Sequence, residues 1–245
     1  MDVTVCIPTL KSRAELRSFL TEISLDLPNT KILLSDAKPL TKARMELIQQ
    51  VTTKYFVFFD DDIIYQKGLI KLLYDTITNL KSKKVGAVQG STQPIGFGEK
   101  WDKALENTNN DVQKVSFGKR FMTSNAIIVT DAVKGWIPNH HVSGCEDWHL
   151  TNFLLNYGYS IFIIPANVKH KSSFSKIRSN ARWFAKGFIH VFGGVGTIKY
   201  ILKLLGGIIK ASVTLPANWR KSVFIIYQNS FVVKNLFCEI LVTEH

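Results

Sequence analysis

Tyr55-Phe56-Val57-Phe58-Phe59-Asp60-Asp61-Asp62 decides the fold. Five aromatic and β-branched residues form a run too short for a helix and composed like a buried strand. The run ends in three adjacent carboxylates. Like charges at a strand end repel, and a divalent cation removes that cost, because hard metals take oxygen ligands and carry the largest local charge in a site. Asp60 and Asp62, two apart around a turn, can offer carboxylates to one ion and leave its other positions to phosphate oxygens. The competing reading is a solvated acidic turn capping the next helix, where Asp suits the positive N-terminal end.

Working outward, residues 3–9 read as a first strand broken by Pro8, with a helix over about 13–25. Residues 31–36 read as a second strand, again ending in an acid, and 41–51 as a helix with Ala43, Leu47 and Ile48 on one side. Residues 68–80 form another amphipathic pattern, and 85–88 a fourth strand. Strands and helices alternating at these lengths predict an α/β fold: a Rossmann-like, mostly parallel sheet flanked by helices. Ligands bind such sheets at the carboxyl ends of the strands. Pro8, Thr9, Asp36 and Asp60 to Asp62 all fall on that edge. The middle is less regular: 96–111 reads as a loop or short helix over the site, and 114–130 as a hairpin or pair of strands. Glu146 and Asp147 open a helix to about 156, and 159–164 is a last strand, ending at Pro165.

The chain has 245 residues, 46% hydrophobic and 20% charged, enough for one full core with an appendage and unlike a disordered chain. Cys6, Cys145 and Cys238 are odd in number and without metal-ligand spacing, as expected of a reduced, cytoplasmic protein. With an acidic Asp2 followed at once by a strand, no signal peptide is expected. The net charge of +12 is unevenly placed. Residues 148–238 hold twelve Lys and Arg and no acid, leaving 19 basic against 19 acidic residues elsewhere. Such asymmetry implies an anionic partner.

Beyond Arg178 the longest stretches without a charge, 187–198 and 222–233, are twelve residues each, short of the roughly 20 that span a bilayer. No transmembrane segment is expected. A helix over 198–210 would gather Lys199, Lys203 and Lys210 opposite Ile201, Leu204, Leu205 and Ile208, the pattern of a helix lying in a membrane interface. It is also the pattern of a helix packed on a core with its lysines in water. Gly206 and Gly207 weaken a helix in either case. The absence of acids favours an anionic membrane surface. Nucleic acid is not expected, since the aromatics sit in apolar runs rather than among exposed cations.

In order, Ile7-Pro8-Thr9, Asp36, Ala43-Arg44, Asp60-Asp61-Asp62, Glu146-Asp147 and His170 resemble the motifs of family 2 glycosyltransferases. These are inverting enzymes of the GT-A fold that use nucleotide-sugar donors. The resemblance covers roughly residues 1–185, implying a catalytic domain there and an amphipathic, membrane-associating extension over 186–245. It implies Mn2+ or Mg2+ held by Asp60 and Asp62, with His170 against the metal or diphosphate. Asp60 would also face the ribose, and Asp61 would take part in donor binding. Pro8, Thr9 and Asp36 match nucleoside-binding positions, and Arg44 would contact base or phosphate. Asp147 matches the catalytic base, with Glu146 supporting it or positioning the acceptor. Arg178 and Arg182, in a Ser/Lys/Arg-rich segment, would close over the diphosphate.

The implied donor is a UDP- or GDP-sugar, and the acceptor a glycan or lipid-linked hydroxyl at the cytoplasmic face of a membrane. The second strand lacks the longer acidic run many members carry, and the Gln-x-x-Arg-Trp motif of processive synthases is missing, which points to single sugar addition. A phosphatase with an Asp nucleophile needs its acid pair after the first strand, where Pro8-Thr9 stands instead. A catalytically degenerate nucleotide-binding protein or a basic membrane-binding module is the other alternative.

Overall fold

The computed structural model describes residues 1–82, 84–106, 110–117, 119–138, 144–214 and 219–243, so positions 107–109 and 118 of the irregular middle lie outside the described residues. Seven strands form one sheet: β1 (Val3–Pro8), β2 (Lys31–Ser35), β3 (Tyr55–Phe59), β4 (Val85–Ile95), β5 (Gln113–Lys114), β6 (Asn125–Val129) and β7 (Ser160–Lys171). Their order across the sheet is β2-β1-β3-β6-β4-β7-β5. β1 runs parallel to both β2 and β3, as the alternation of strands and helices predicts. β6 lies antiparallel between β3 and β4, so β3 and β4 still point the same way. β7 follows β4 in parallel, since Ser160 N–H donates to the Lys84 carbonyl and Asn167 N–H to Ser91 Oγ. The sheet is therefore mixed but mostly parallel, with β5 and β6 reversed.

Side-chain alternation assigns the helices to its faces. Tyr55, Val57 and Phe59 share one core with Val5, Ile7 and residues of α1 (Arg17–Asp26) and α3 (Leu69–Asn79). Phe56 and Phe58 enter the other, with Leu47 of α2 (Leu40–Gln49) and Leu150 and Leu154 of α5 (Glu146–Asn156). The five residues of β3 are all buried, which fits a strand covered on both faces.

Of the two readings of 114–130, a pair of strands holds and the hairpin does not: among the described residues β5 joins β7, and β6 joins β3 and β4. Turn chemistry at its middle could not reveal partners so distant in sequence. β4 and β7 both run longer than the apolar runs that announced them, and β7 passes straight through Pro165. A short helix, α4 (Glu99–Ala104), forms in the 96–111 stretch, one of its two expected readings, and there the Asp102 carboxylate accepts from the Gly96 and Phe97 amides.

The chain divides into two compact units, 1–93 with 107–141 and 146–171, and 94–106 with 142–145 and 172–245. The second unit is helical, formed chiefly by α6 (Phe174–Val213) and α7 (Trp219–Thr243). By length and composition α6 could cross a membrane, so the count of uncharged residues underestimated it. It is not one rod, however. Gly193 has φ 64° and ψ −178°, a conformation essentially confined to glycine. The Phe188 and Tyr200 rings stack with centroids 4.3 Å apart, although twelve residues of continuous helix would separate them by about 18 Å. The halves 174–192 and 194–213 thus fold back on each other. α7 completes the bundle: Tyr227 OH donates to the Phe174 carbonyl, and Asn229 Nδ2 to that of Leu204. Replacing Gly193 with Ala should cost about 1–3 kcal/mol of stability, read as a lowered denaturation midpoint with α-helical circular dichroism retained.

Candidate active site

The register that buries β3 also aims its acids. Asp60 continues the Phe56–Phe58 side, and its N–H donates to the Ser124 carbonyl at the start of β6. It therefore emerges on the face covered by α2 and α5. There Arg44 of α2 reaches it, Nη2 to Asp60 Oδ1 at 3.0 Å, while Nη1 of the same guanidinium bonds Glu146 at the start of α5. Phe58 lies beneath, with the guanidinium carbon 5.6 Å from its ring centroid. Arg44 and Glu146 are both buried. Burial by itself lowers the Arg44 pKa, but Glu146, then Asp60 and Asp147, outweigh it and hold the guanidinium above its ordinary value. Burial raises the Glu146 carboxyl, and Arg44 opposes that rise.

Asp61 turns the other way. Its carboxylate accepts from Thr9 Oγ1 at 2.5 Å and sits 3.2 Å from Lys11 Nζ, which also donates to the Asp61 carbonyl. The turn after β1 is thereby tied to the turn after β3. Thr9 N–H in turn donates to the Ser35 carbonyl, so the ends of β1, β2 and β3 form one continuous edge.

Asp62 is drawn toward β7. Lys171 N–H donates to its carbonyl, Ile64 N–H donates to the Lys169 carbonyl, and Ile63 and His170 form an antiparallel bridge. That short ladder lays His170 beside the acidic turn, with Nε2 2.9 Å from Asp62 Oδ1. One ligand atom each from Asp60, Asp62 and His170 lies within 4.8 Å of the others, all on half-buried residues. Two carboxylate oxygens and an imidazole nitrogen suit a divalent cation with positions left for other oxygens, Mn2+ better than Mg2+ given the imidazole. Burial lowers the His170 pKa from 6.5, against the pull of Asp60, which favours the neutral, metal-binding imidazole at pH 7.

Asp147 is buried at the first turn of α5, where acids suit the helix dipole. Its Oδ1 accepts from Trp148 N–H at 2.9 Å and its Oδ2 lies 2.6 Å from Arg120 Nε. Arg120 is 39% exposed, so solvent screens this pair. Through Glu146 and Arg44, the Asp147 helix start is connected to Asp60.

The structure thus gathers Thr9, Arg44, Asp60, Asp61, Asp62, Glu146, Asp147 and His170 in the first unit. Pro8 is buried at the end of β1, and Asp36 is exposed just after β2. Arg44, expected to face base or phosphate, spends its guanidinium on carboxylates. Arg178 and Arg182 lie in the other unit, one turn apart on α6, and Arg178 covers the Phe231 ring at 5.5 Å. Two basic residues went unnoticed in the sequence. Lys11 could have been found by its place two residues beyond Thr9 at the sheet edge; nothing local distinguishes Arg120.

No protein-family model matches the sequence, and no curated protein is similar to it. Among solved structures the chain is similar to Staphylococcus aureus TarS 1–349 in complex with UDP, at 14% identity and TM-score 0.46 over 78% of this chain and 66% of that one. A second TarS 1–349 structure gives 13% identity and TM-score 0.49 over 96% and 89%. Glucosyl-3-phosphoglycerate synthase of Mycobacterium tuberculosis with Mn2+, UDP and glucosyl-3-phosphoglycerate gives 12% and 0.48 over 70% and 72%. The chain spans 40% of the length of a longer TarS structure.

Two outcomes follow from the charge geometry. Arg44→Met strands Glu146 as a buried charge and should cost about 3–5 kcal/mol in chemical denaturation, with part regained in Arg44→Met/Glu146→Gln. Mn2+ affinity, followed by calorimetry, should be flat above pH 6.5 and decline only as pH falls below it, toward the lowered folded pKa of His170, because protonation there removes a ligand. The same lowered pKa makes the neutral side chain's contribution to stability full above 6.5 and lost on acidification.

Proposed function

We propose that this protein is a metal-dependent, inverting glycosyltransferase of the family 2 type, moving a sugar from a nucleoside diphosphate to an acceptor hydroxyl. The observation that carries the reading is the convergence of Asp60, Asp62 and His170 within 4.8 Å at the carboxyl end of β3. A buried Asp147 is tied to the same edge through Glu146 and Arg44. A metal held by Asp60, Asp62 and His170 would supply Lewis-acid stabilisation of the charge that grows on the diphosphate.

The remaining work falls to the chain itself. Asp147 takes the proton of the acceptor hydroxyl as its oxygen bonds to the anomeric carbon, on the face opposite the leaving group. The bond from that carbon to the phosphate oxygen breaks, and its electron pair leaves with the nucleoside diphosphate. Glu146, bonded to Arg44, holds the start of α5 and positions the acceptor. Arg120 shields Asp147 in the resting site and yields to the acceptor from its exposed position. Pro8, Thr9 and Asp36 line the nucleoside end of the edge, with Asp60 reaching the ribose. Lys11, beside Asp61, is a cation available to the diphosphate.

The donor class is a UDP- or GDP-sugar, and the acceptor a glycan or lipid-linked glycan. Free thiols at Cys6, Cys145 and Cys238 fit a reducing cytoplasmic location, peripheral to a membrane. Thermal stabilisation by UDP- and GDP-sugars with and without Mn2+ tests the reading, since a ligand of the folded state raises its stability by mass action. One nucleotide should raise Tm only with metal, and Asp62→Asn should abolish the rise. Asp147→Asn should keep the shift while lowering transfer or donor hydrolysis about 10²–10⁴-fold. Folded protein that no donor stabilises would leave the nucleotide-sugar reading without support.

A further inference from the structure

The second half of α6 carries an apolar face that the bundle does not use. At 100° per residue, Val195, Ile198, Leu202, Leu205, Ile209 and Val213 fall within roughly 80° of one another, and all six are exposed, Val213 by 76%. Of them only Leu205 is among the apolar residues that hydropathy sets opposite the lysines. Ile201, with Thr197 and Ala211, is buried on the side that meets α7, where Asn229 bonds the Leu204 carbonyl. Only 17% of the most apolar window of α6 is buried. The apolar character of this helix is therefore mostly surplus to the packing of its own unit.

The surface beside the stripe is basic. Lys199, Lys203 and Lys210 are exposed within roughly 40° of each other, centred roughly 100° from the middle of the stripe. No acidic residue occurs from 148 to 238 to neutralise them. A row of large apolar side chains edged by lysines matches the layered chemistry of a bilayer surface, where acyl chains lie beneath anionic phosphates. A spanning orientation is disfavoured, because Lys199 and Lys203 sit amid the apolar residues along the helix and would lie in hydrocarbon. Lying in the plane satisfies both sets at once.

We infer that residues 194–213 form an in-plane docking face for an anionic lipid bilayer, with the six apolar side chains inserted and the three lysines at phosphate depth. This deepens the membrane-peripheral part of the proposed function, and it stands whether or not the first unit transfers sugars.

The test is co-sedimentation of the full chain with vesicles of phosphatidylcholine alone or mixed with phosphatidylglycerol, alongside light scattering of the free protein. The wild type should bind the mixed vesicles, less so as salt rises. Ile198→Ser/Leu202→Ser/Ile209→Ser should weaken partitioning at least about tenfold, since each buried apolar side chain contributes on that scale or more. Lys199→Glu/Lys203→Glu/Lys210→Glu should remove the preference for phosphatidylglycerol. Ile137→Ser, at a 73% exposed position of the first unit, should change nothing. Circular dichroism keeps the comparison to folded variants. Failure of the wild type to bind, or equal binding by the serine variant, overturns the inference. So does a dimer in solution that the serine variant dissociates, which would make a second copy the occupant. Because no donor or metal enters the assay, a negative result leaves the glycosyltransferase reading to its own test.

Discussion

Three adjacent carboxylates at the end of one strand are the constraint around which this structure is arranged. Each is given a different partner. Asp60 turns to the buried Arg44, Asp61 to Thr9 and Lys11, and Asp62 to His170. At Asp60 and Asp61 the repulsion that a sequence reading assigns to a cation is thus offset by protein cations, whereas Asp62 faces a neutral imidazole. The partners come from β1 and its turn, α2 and β7, so the same contacts that separate the acids also bind these elements to the edge of β3. Arg44 carries the heaviest demand. A guanidinium buried beside two carboxylates is tolerable only while both are in place, which makes the edge a cooperative unit rather than a set of independent side chains.

Why the acids diverge is a matter of period. β3 alternates between the two cores, so its last aromatic, Phe59, and the first acid, Asp60, must leave on opposite faces. Asp60 consequently meets α2 and α5, and the turn that follows is captured by β7. This much was legible: the apolar run, its abrupt acidic end and the alternation of strands and helices suffice for a mostly parallel sheet with its acids gathered at the carboxyl edge. His170, which the family resemblance sets against the metal or diphosphate, lies beside Asp62 from within the last strand, which runs to Lys171 rather than stopping at Pro165.

What was not legible depended on distance along the chain. The antiparallel insertion of β6 between β3 and β4 is a pairing across about seventy residues, with no turn signal to mark it. Arg44 and Glu146 are 102 positions apart, and each reads alone as an ordinary helix residue. The fold-back of α6 has one local cause, the backbone of Gly193, in a segment holding several glycines of which only this one has positive φ. Hydropathy sorted lysines from apolar residues on that helix correctly. It could not say which apolar residues face protein, because the deciding neighbour, α7, follows in the sequence and packs on one side only.

The separate partners of the three acids also bear on how a metal would act under the proposed function. Arg44 bonds Oδ1 of Asp60, so a cation held by that carboxylate would share its charge with a guanidinium. Two shared carboxylates and one imidazole make a modest site for a hard ion, whose preference is for a full shell of oxygens. The missing ligands are the kind a diphosphate provides. Metal and donor should therefore bind as one coupled event, each raising the affinity for the other by the same factor. A site built this way holds its geometry through protein contacts and leaves the ion to respond to the arriving phosphates, where the charge to be stabilised in glycosyl transfer develops.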